Sequence, residues 1–225
     1  RTRRSRMASQ RMMENAMPVI YVGSKYADCL PIGNIEVVDT FHYDTLRDYY
    51  HKWYRPDLQG IIVVGDINVD EIEAKIKNLF NADTVPADAP QRTYYTVPDN
   101  KEMIVYTQAD NEQPTLNFSL YMKHNAEPRG ARATREAFLG SYKSKLAMFI
   151  LRQRLAQLSH EAQPRVMSAS CRAGSFYVTT EKDAFALNLG LMPNNPQAGI
   201  DAAIEIVEKA RRYGFTEAEL EHAKV

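Results

Sequence analysis

Five histidines, two cysteines and 28 acidic residues are the groups in this 225-residue chain that could do metal or acid–base chemistry. One helical pattern for a catalytic zinc sets two His at i and i+4 on one face, with a Glu between them as general base. His42, His51, His124, His160 and His222 include no pair four apart, so none can form such a site. His51 falls on the polar side of an otherwise aromatic helix. His160 and Glu161 fall at a helix end, where an imidazolium favours the negative pole. Cys29 and Cys171 stand far apart, in neither a metal-ligand spacing nor a disulfide framework. Nothing resembles a Ser–His–Asp arrangement, a phosphate-cradling glycine loop or a nucleotide fingerprint. No self-sufficient catalytic centre is legible.

The totals narrow the remaining classes. Apolar residues at 44% and charged residues at 25% are those of a globular protein. Lys+Arg and Asp+Glu balance at 28 each, so no net field points to nucleic acid or an anionic membrane. Arg1, Arg3, Arg4, Arg6 and Arg11 make one local exception, read as a solvated helix face or as contact with an acidic partner segment. No apolar run approaches the ~18 residues of a membrane helix. No signal peptide is visible, but the chain begins without Met in what reads as mid-helix, which leaves any targeting segment open.

Two regions must position whatever chemistry exists. Residues 1–22 are helix-compatible, with Pro18 expected at the end or at a kink. A loop follows over 23–40. Leu46, Tyr49, Tyr50, Trp53 and Tyr54 then recur at helical spacing over 43–54, and Pro56 stops that helix. The better account of these aromatics is core packing, with Tyr49 and Trp53 on the adjacent run 61–64, although a stacking platform for bases or sugars would use the same residues. Ile61, Ile62, Val63 and Val64 read as a strand covered on both faces. Asn68 and Glu71 form a cap for a further helix with Ile72, Ile76, Leu79 and Phe80 as its buried stripe.

Residues 83–101, with Pro86, Pro90 and Pro98, read as a linker that Tyr94 and Tyr95 could pin to a surface. Beyond it, strands are expected at 103–108 and 115–123, and a helix at 132–159 with Phe138, Leu139, Tyr142, Leu146, Phe149 and Ile150 as its core stripe. Strands at 165–179 and 183–192 follow. A helix over 197–213 stops at Gly214, and a capping box at Thr216 and Glu219 opens the next. The second region is thus ββαββα, an α+β plan.

The stretch 41–80, FHYDTLRDYYHKWYRPDLQGIIVVGDINVDEIEAKIKNLF, resembles the later half of the zinc-binding domain of insulinase/pitrilysin-type metallopeptidases. The family patterns a helix as L-x-x-F-Y-x-x-x-Y, then a Pro, then a strand closing in V-G-D. Leu46, Tyr49, Tyr50, Tyr54, Pro56, Val63, Val64, Gly65 and Asp66 match it. The family's H-x-x-E-H is absent, so the resemblance implies part of a peptidase without its active centre. It implies repeated α+β domains, each an antiparallel-rich sheet covered by helices on one face. The division would be 1–82 as the back of the first domain, 83–101 as linker and 102–225 as a second domain cut at its C-terminus.

By the same resemblance, zinc belongs to the parent protein and none is expected in this chain. The third zinc ligand is a Glu on the helix ahead of the loop resembling 25–34. Glu14 is the only acidic residue among the first 27 positions, hence the one in-chain candidate; the ligand itself is expected a few residues before Arg1. In insulin-degrading relatives a second-domain strand anchors the substrate's N-terminal end. Its counterpart here is VMSASCRAGSFY, 166–177, where Ser168, Ala169, Ser170, Ala173 and Gly174 would let an extended peptide approach. An ordinary hairpin strand turning at Gly174 and Ser175 is the favoured account of the same residues. The family's Gly-rich motif on the preceding helix is missing, since 147–157 reads AMFILRQRLAQ.

The implied role is scaffold and chamber wall of a zinc peptidase, with peptide substrates and the parent's other domains as partners. The alternative is part of a non-catalytic scaffold or partner subunit that has lost the zinc site. A periplasmic address is the habit of bacterial relatives.

Overall fold

The computed structural model describes residues 6–29, 33–80, 85 and 87–224. Arg1, Arg3 and Arg4 of the basic cluster, and Pro86 of the linker, lie outside the described residues. The chain forms two compact units, one from Arg1–Leu30 with Tyr95–Val225 and the other from Pro31–Tyr94. The division expected from sequence, at 82/83 and 101/102, is drawn at different residues.

In the larger unit, helix α1 (Ala8–Ile20) continues two residues beyond Pro18. A proline in the last turn forfeits a single ladder bond, so it neither ends nor breaks this helix. In the smaller unit come α2 (Ile35–Thr40), α3 (Tyr43–Trp53) and α4 (Val69–Phe80). The Asn68 side chain accepts from the N–H groups of Asp70 and Glu71, the cap its sequence indicated.

The expected burial in this unit does not occur. Tyr49 is 56% exposed and Val64 91%, and Leu46, Tyr50, Tyr54, Leu79 and Phe80 are also open to solvent. Residues 61–64 pair with no strand, because the unit's described residues include no other strand to form a ladder. Without a sheet beneath them, the helical stripes have nothing to pack on.

The larger unit resumes with β1 (Leu116–Asn125), α5 (Arg135–Gln157), β2 (Val166–Ser175), β3 (Lys182–Leu191), α6 (Pro196–Tyr213) and α7 (Glu217–Ala223). The strands form one antiparallel sheet in the order β1-β3-β2. The strand expected at 103–108 does not join it; Gln108 instead donates to the Met12 carbonyl at 2.6 Å. The reciprocal Thr216–Glu219 box opens α7 as read, and two caps not singled out in the sequence also form, Thr134 for α5 and Asn195 for α6. Gly214 ends α6 with φ at 70°, a region glycine enters without steric cost.

Strand alternation sorts two cores. Leu187, Leu189 and Leu191 of β3 and Cys171 of β2 face Leu151 and Leu155 of α5 and Ala202 and Ala203 of α6. A Cβ on Gly199 would come within 2.7 Å of the Arg165 carbonyl, so only glycine lets α6 lie this close to the start of β2. The C-terminal half of α5 supplies this core, while Phe138, Leu139 and Tyr142 in its N-terminal half are exposed. That corrects the single stripe expected along the helix. On the other face, Met17 and Tyr21 at the end of α1 pack with Val97, Phe176 and Ala184. The fold is therefore α+β, an antiparallel sheet with helices over one face and the end of α1 at one corner of the other.

The linker is only partly loose. Val97 is buried, the Ser24 hydroxyl donates to the Thr96 carbonyl at 2.7 Å, and Lys182 pairs with Asp99 at 2.6 Å. Residues 95–99 thus belong to the larger unit.

Candidate functional site

Ser168, Ala169, Ser170, Ala173 and Gly174 all lie on β2, which pairs with β3 on one side and with no strand on the other among the described residues. The register runs from Ser168 opposite Gly190 to Ser175 opposite Asp183, with an irregularity between Val166 and Ser168. A Cβ at position 190 would sit 2.8 Å from the Ser168 hydroxyl, so glycine there makes room for the irregular start of the strand.

The Phe176 N–H donates to the Lys182 carbonyl at 2.9 Å. In an antiparallel ladder bonded and non-bonded pairs alternate, so 174, 172, 170 and 168 direct their main-chain groups at β3. Residues 169, 171, 173 and 175 direct theirs outward. The side chains of Ser168, Ser170 and Arg172 stand exposed on the face away from α5, and those of Ala169 and Cys171 face it. The five candidates therefore share an edge and not a face, and small side chains leave that edge approachable. Gly174 sits at φ 149°, a backbone conformation disfavoured for other residues.

Two residues that shape this strand have no local signal. Tyr177 follows β2 with φ at 55°, unusual for a bulky side chain. The fully buried Tyr21 hydroxyl donates to the Phe176 carbonyl and accepts from the Val178 N–H, bracketing Tyr177 from both sides. Tyr21 lies 155 positions from Phe176, which no spacing rule would find. Arg172 was legible as the one charge inside the candidate strand.

Helix α1 is held at its other end by charge. Arg11 grips the Asp110 carboxylate with two hydrogen bonds of 2.8 and 2.7 Å and reaches Glu112 at 2.7 Å. The Arg11 guanidinium holds the Asp110 carboxyl below its usual range. For this member of the basic cluster the acidic partner is therefore in the chain itself.

The described residues do not fit a zinc ion. No three His, Cys, Asp or Glu side chains converge among them. Glu14 accepts from Gln10 one turn away, His42 caps α3, His124 contacts the Asn125 carbonyl, and His222 lies against Phe149. Burial pushes the Cys171 thiol up to about 11, which removes it as a nucleophile near neutrality. What the arrangement offers is an exposed sheet edge, suited to binding.

Comparison with known proteins bears on the family and the fold. The family described as "Peptidase M16 inactive domain" matches residues 40–224. The chain is 26% identical over 205 residues to the probable zinc protease PqqL of Haemophilus influenzae, covering 88% of this chain and 21% of that protein. With the probable zinc protease PqqL of Escherichia coli it shares 24% over 219 residues, covering 96% and 23%. It thus spans about a fifth of the length of the curated relatives it matches.

Among solved structures, the first half of the periplasmic protease PqqL from Escherichia coli superposes with a TM-score of 0.74 at 21% identity, covering 99% of this chain and 46% of that one. A point mutant of the ferredoxin protease FusC in complex with Arabidopsis ferredoxin gives 0.74 at 22%, covering 97% and 24%. These structural likenesses establish the fold. With the family match over most of its length, the chain belongs to the peptidase M16 family, the insulinase/pitrilysin-type metallopeptidases, and corresponds to the part described there as inactive.

Proposed function

We propose that this chain is the non-catalytic portion of a zinc-dependent metallopeptidase, and that β2 anchors an extended segment of a peptide or small-protein substrate. The chain would contribute scaffold and one wall of the substrate chamber, with the zinc held elsewhere in the parent. Its partners would be the substrate and the parent's remaining domains, and its compartment the periplasm named for the PqqL structure. The division into 1–82, 83–101 and 102–225 is proposed as that of the repeated domains, with the packing of α1 against the later part a feature of this chain.

The observation that carries the reading is the open edge of β2, where Ala169, Cys171, Ala173 and Ser175 offer main-chain donors and acceptors beside small side chains. Ser168, Ser170 and Gly174 complete the candidate strand from the ladder side. The test is fluorescence anisotropy of an extended, labelled peptide with the chain. Reversible binding without hydrolysis is expected. Ala173→Pro should abolish it, because proline removes an outward N–H while leaving the ladder to β3 intact. Binding unaffected by that change would refute the edge.

The rival reading is a partner subunit of the same fold whose zinc site has been lost. The lack of converging donors among the described residues favours it equally. An H-x-x-E-H in the parent sequence ahead of Arg1 would decide for the peptidase.

A further inference from the structure

We propose that the open edge of β2 selects extended segments bearing two adjacent acidic residues, one met by Arg172 and the other by Arg152. This rests on the reading of β2 as a peptide-anchoring strand and adds the chemistry of the peptide.

Most arginines with a defined contact in this chain are paired. Arg11, Arg47, Arg55, Arg154, Arg165 and Arg211 each hold a carboxylate. Arg152 and Arg172 have exposed side chains and no carboxylate partner among the described residues. Each makes one hydrogen bond to a carbonyl: Arg152 Nε to Met148 at 3.0 Å, and Arg172 Nη1 to Ser175 at 3.1 Å. A guanidinium has five N–H donors, so most of each fork is left for an incoming carboxylate.

Their placement puts one cation on each side of the strand. Arg172 points to the face away from α5, between Ser170 and Gly174. Arg152 comes from α5 on the other face. On that helix Arg154 faces α7 through Glu219, at 2.6 Å. Arg152 lies about 200° round the helix from Arg154, on the side away from α7. There its charge acts on the Cys171 thiol, lowering it against the effect of burial.

A strand added to β2 alternates its side chains between the two faces. The residue opposite Arg172 therefore shares the Arg172 face, and its neighbour, opposite Cys171, meets Arg152. Two carboxylates in succession satisfy both guanidiniums. Two separated by one residue fall on a single face and satisfy one.

Three labelled peptides of equal length and equal β-propensity test this with the full chain. One is neutral, one carries Glu-Glu, and one carries Glu-Thr-Glu. The Glu-Glu peptide is expected to bind about tenfold tighter than the neutral one at low ionic strength, an advantage that shrinks with added salt. Glu-Thr-Glu should fall between them. The double change Arg152→Gln, Arg172→Gln should erase the differences and preserve binding of the neutral peptide.

Equal affinity for all three peptides, each still lost on Ala173→Pro, would overturn the charge selection and leave the edge reading intact. Binding indifferent to Ala173→Pro, or no binding at all, would overturn both. A preference for Glu-Thr-Glu over Glu-Glu would place both cations on one face and refute the two-sided arrangement.

Discussion

The two compact units carry apolar patterns of similar strength and bury them to very different extents. In the larger, Leu155 and Leu187 are fully enclosed between helix and sheet. In the smaller, Arg55 is the one buried residue among those described, its guanidinium bridging the Asp57 carboxylate and the Pro90 carbonyl. The aromatic face of α3 and the run 61–64 are open. An amphipathic pattern states which side of an element avoids water; burial requires a second surface. The larger unit supplies that surface from its own sheet. The smaller does not, and its apolar face stays exposed.

Protease access should separate the units most. Under limited digestion the first cuts are expected within 87–94, exposed and without regular structure, before any between 95 and 99. Mapping by mass spectrometry checks this, and an initial cut inside α5 would contradict the partition.

Core truncation comes next. Leu187→Ala should cost about 2–5 kcal/mol in denaturant melts. Val64→Ala should stay within ~0.5 kcal/mol, as for other surface changes. Equal losses would show that the smaller unit has a core after all.

Tyr21→Phe keeps the ring, leaves the Val178 N–H without its partner and the Phe176 carbonyl with only the Thr179 N–H, for an expected cost of about 1–3 kcal/mol. Trp53→Ala is smaller. Packing of Trp53 on a strand at 61–64 would set its cost at roughly 3–5 kcal/mol. The side chain is only half-buried, with Lys52 over its ring, so about 1 kcal/mol is expected. A loss near the larger value would restore the buried aromatic helix.

The smallest effect is one of pH. The Arg154 guanidinium, helped by the Thr216 N–H, holds the Glu219 carboxyl at about 2. An unfolded glutamate titrates near ~4.3. The pair's contribution is therefore complete above that value and is lost as pH falls through about 2. Between those limits the melting temperature of Glu219→Gln should decline less steeply than that of the parent chain. Parallel declines would mean that solvent already screens the pair.

Local signals proved legible where their partners were local. The caps at Asn68 and Thr216, and the alternation of β3, required only neighbours a few residues away. The candidate strand was expected from the family resemblance and its small residues, whereas its edge position follows only from the strand order of the folded sheet. Arg11 with Asp110, 99 positions apart, and Tyr21 with Phe176 were not, because long-range pairing leaves no periodic trace. The strands expected at 61–64 and 103–108 failed for a third reason. Extended propensity was present in both, but a strand exists only as one side of a ladder.

The Tyr21 bracket also fixes an order of assembly. The β2–β3 hairpin closes between positions six apart, Phe176 and Lys182, and can form early at small entropic cost. Its left-handed Tyr177 has the Phe176 carbonyl and Val178 N–H on either side, and these are fully served only when a hydroxyl from 155 positions away arrives. Contacts of that span form late. Docking of α1 is thus the step that locks the hairpin, and destabilising it should act chiefly by accelerating unfolding, with folding nearly unchanged.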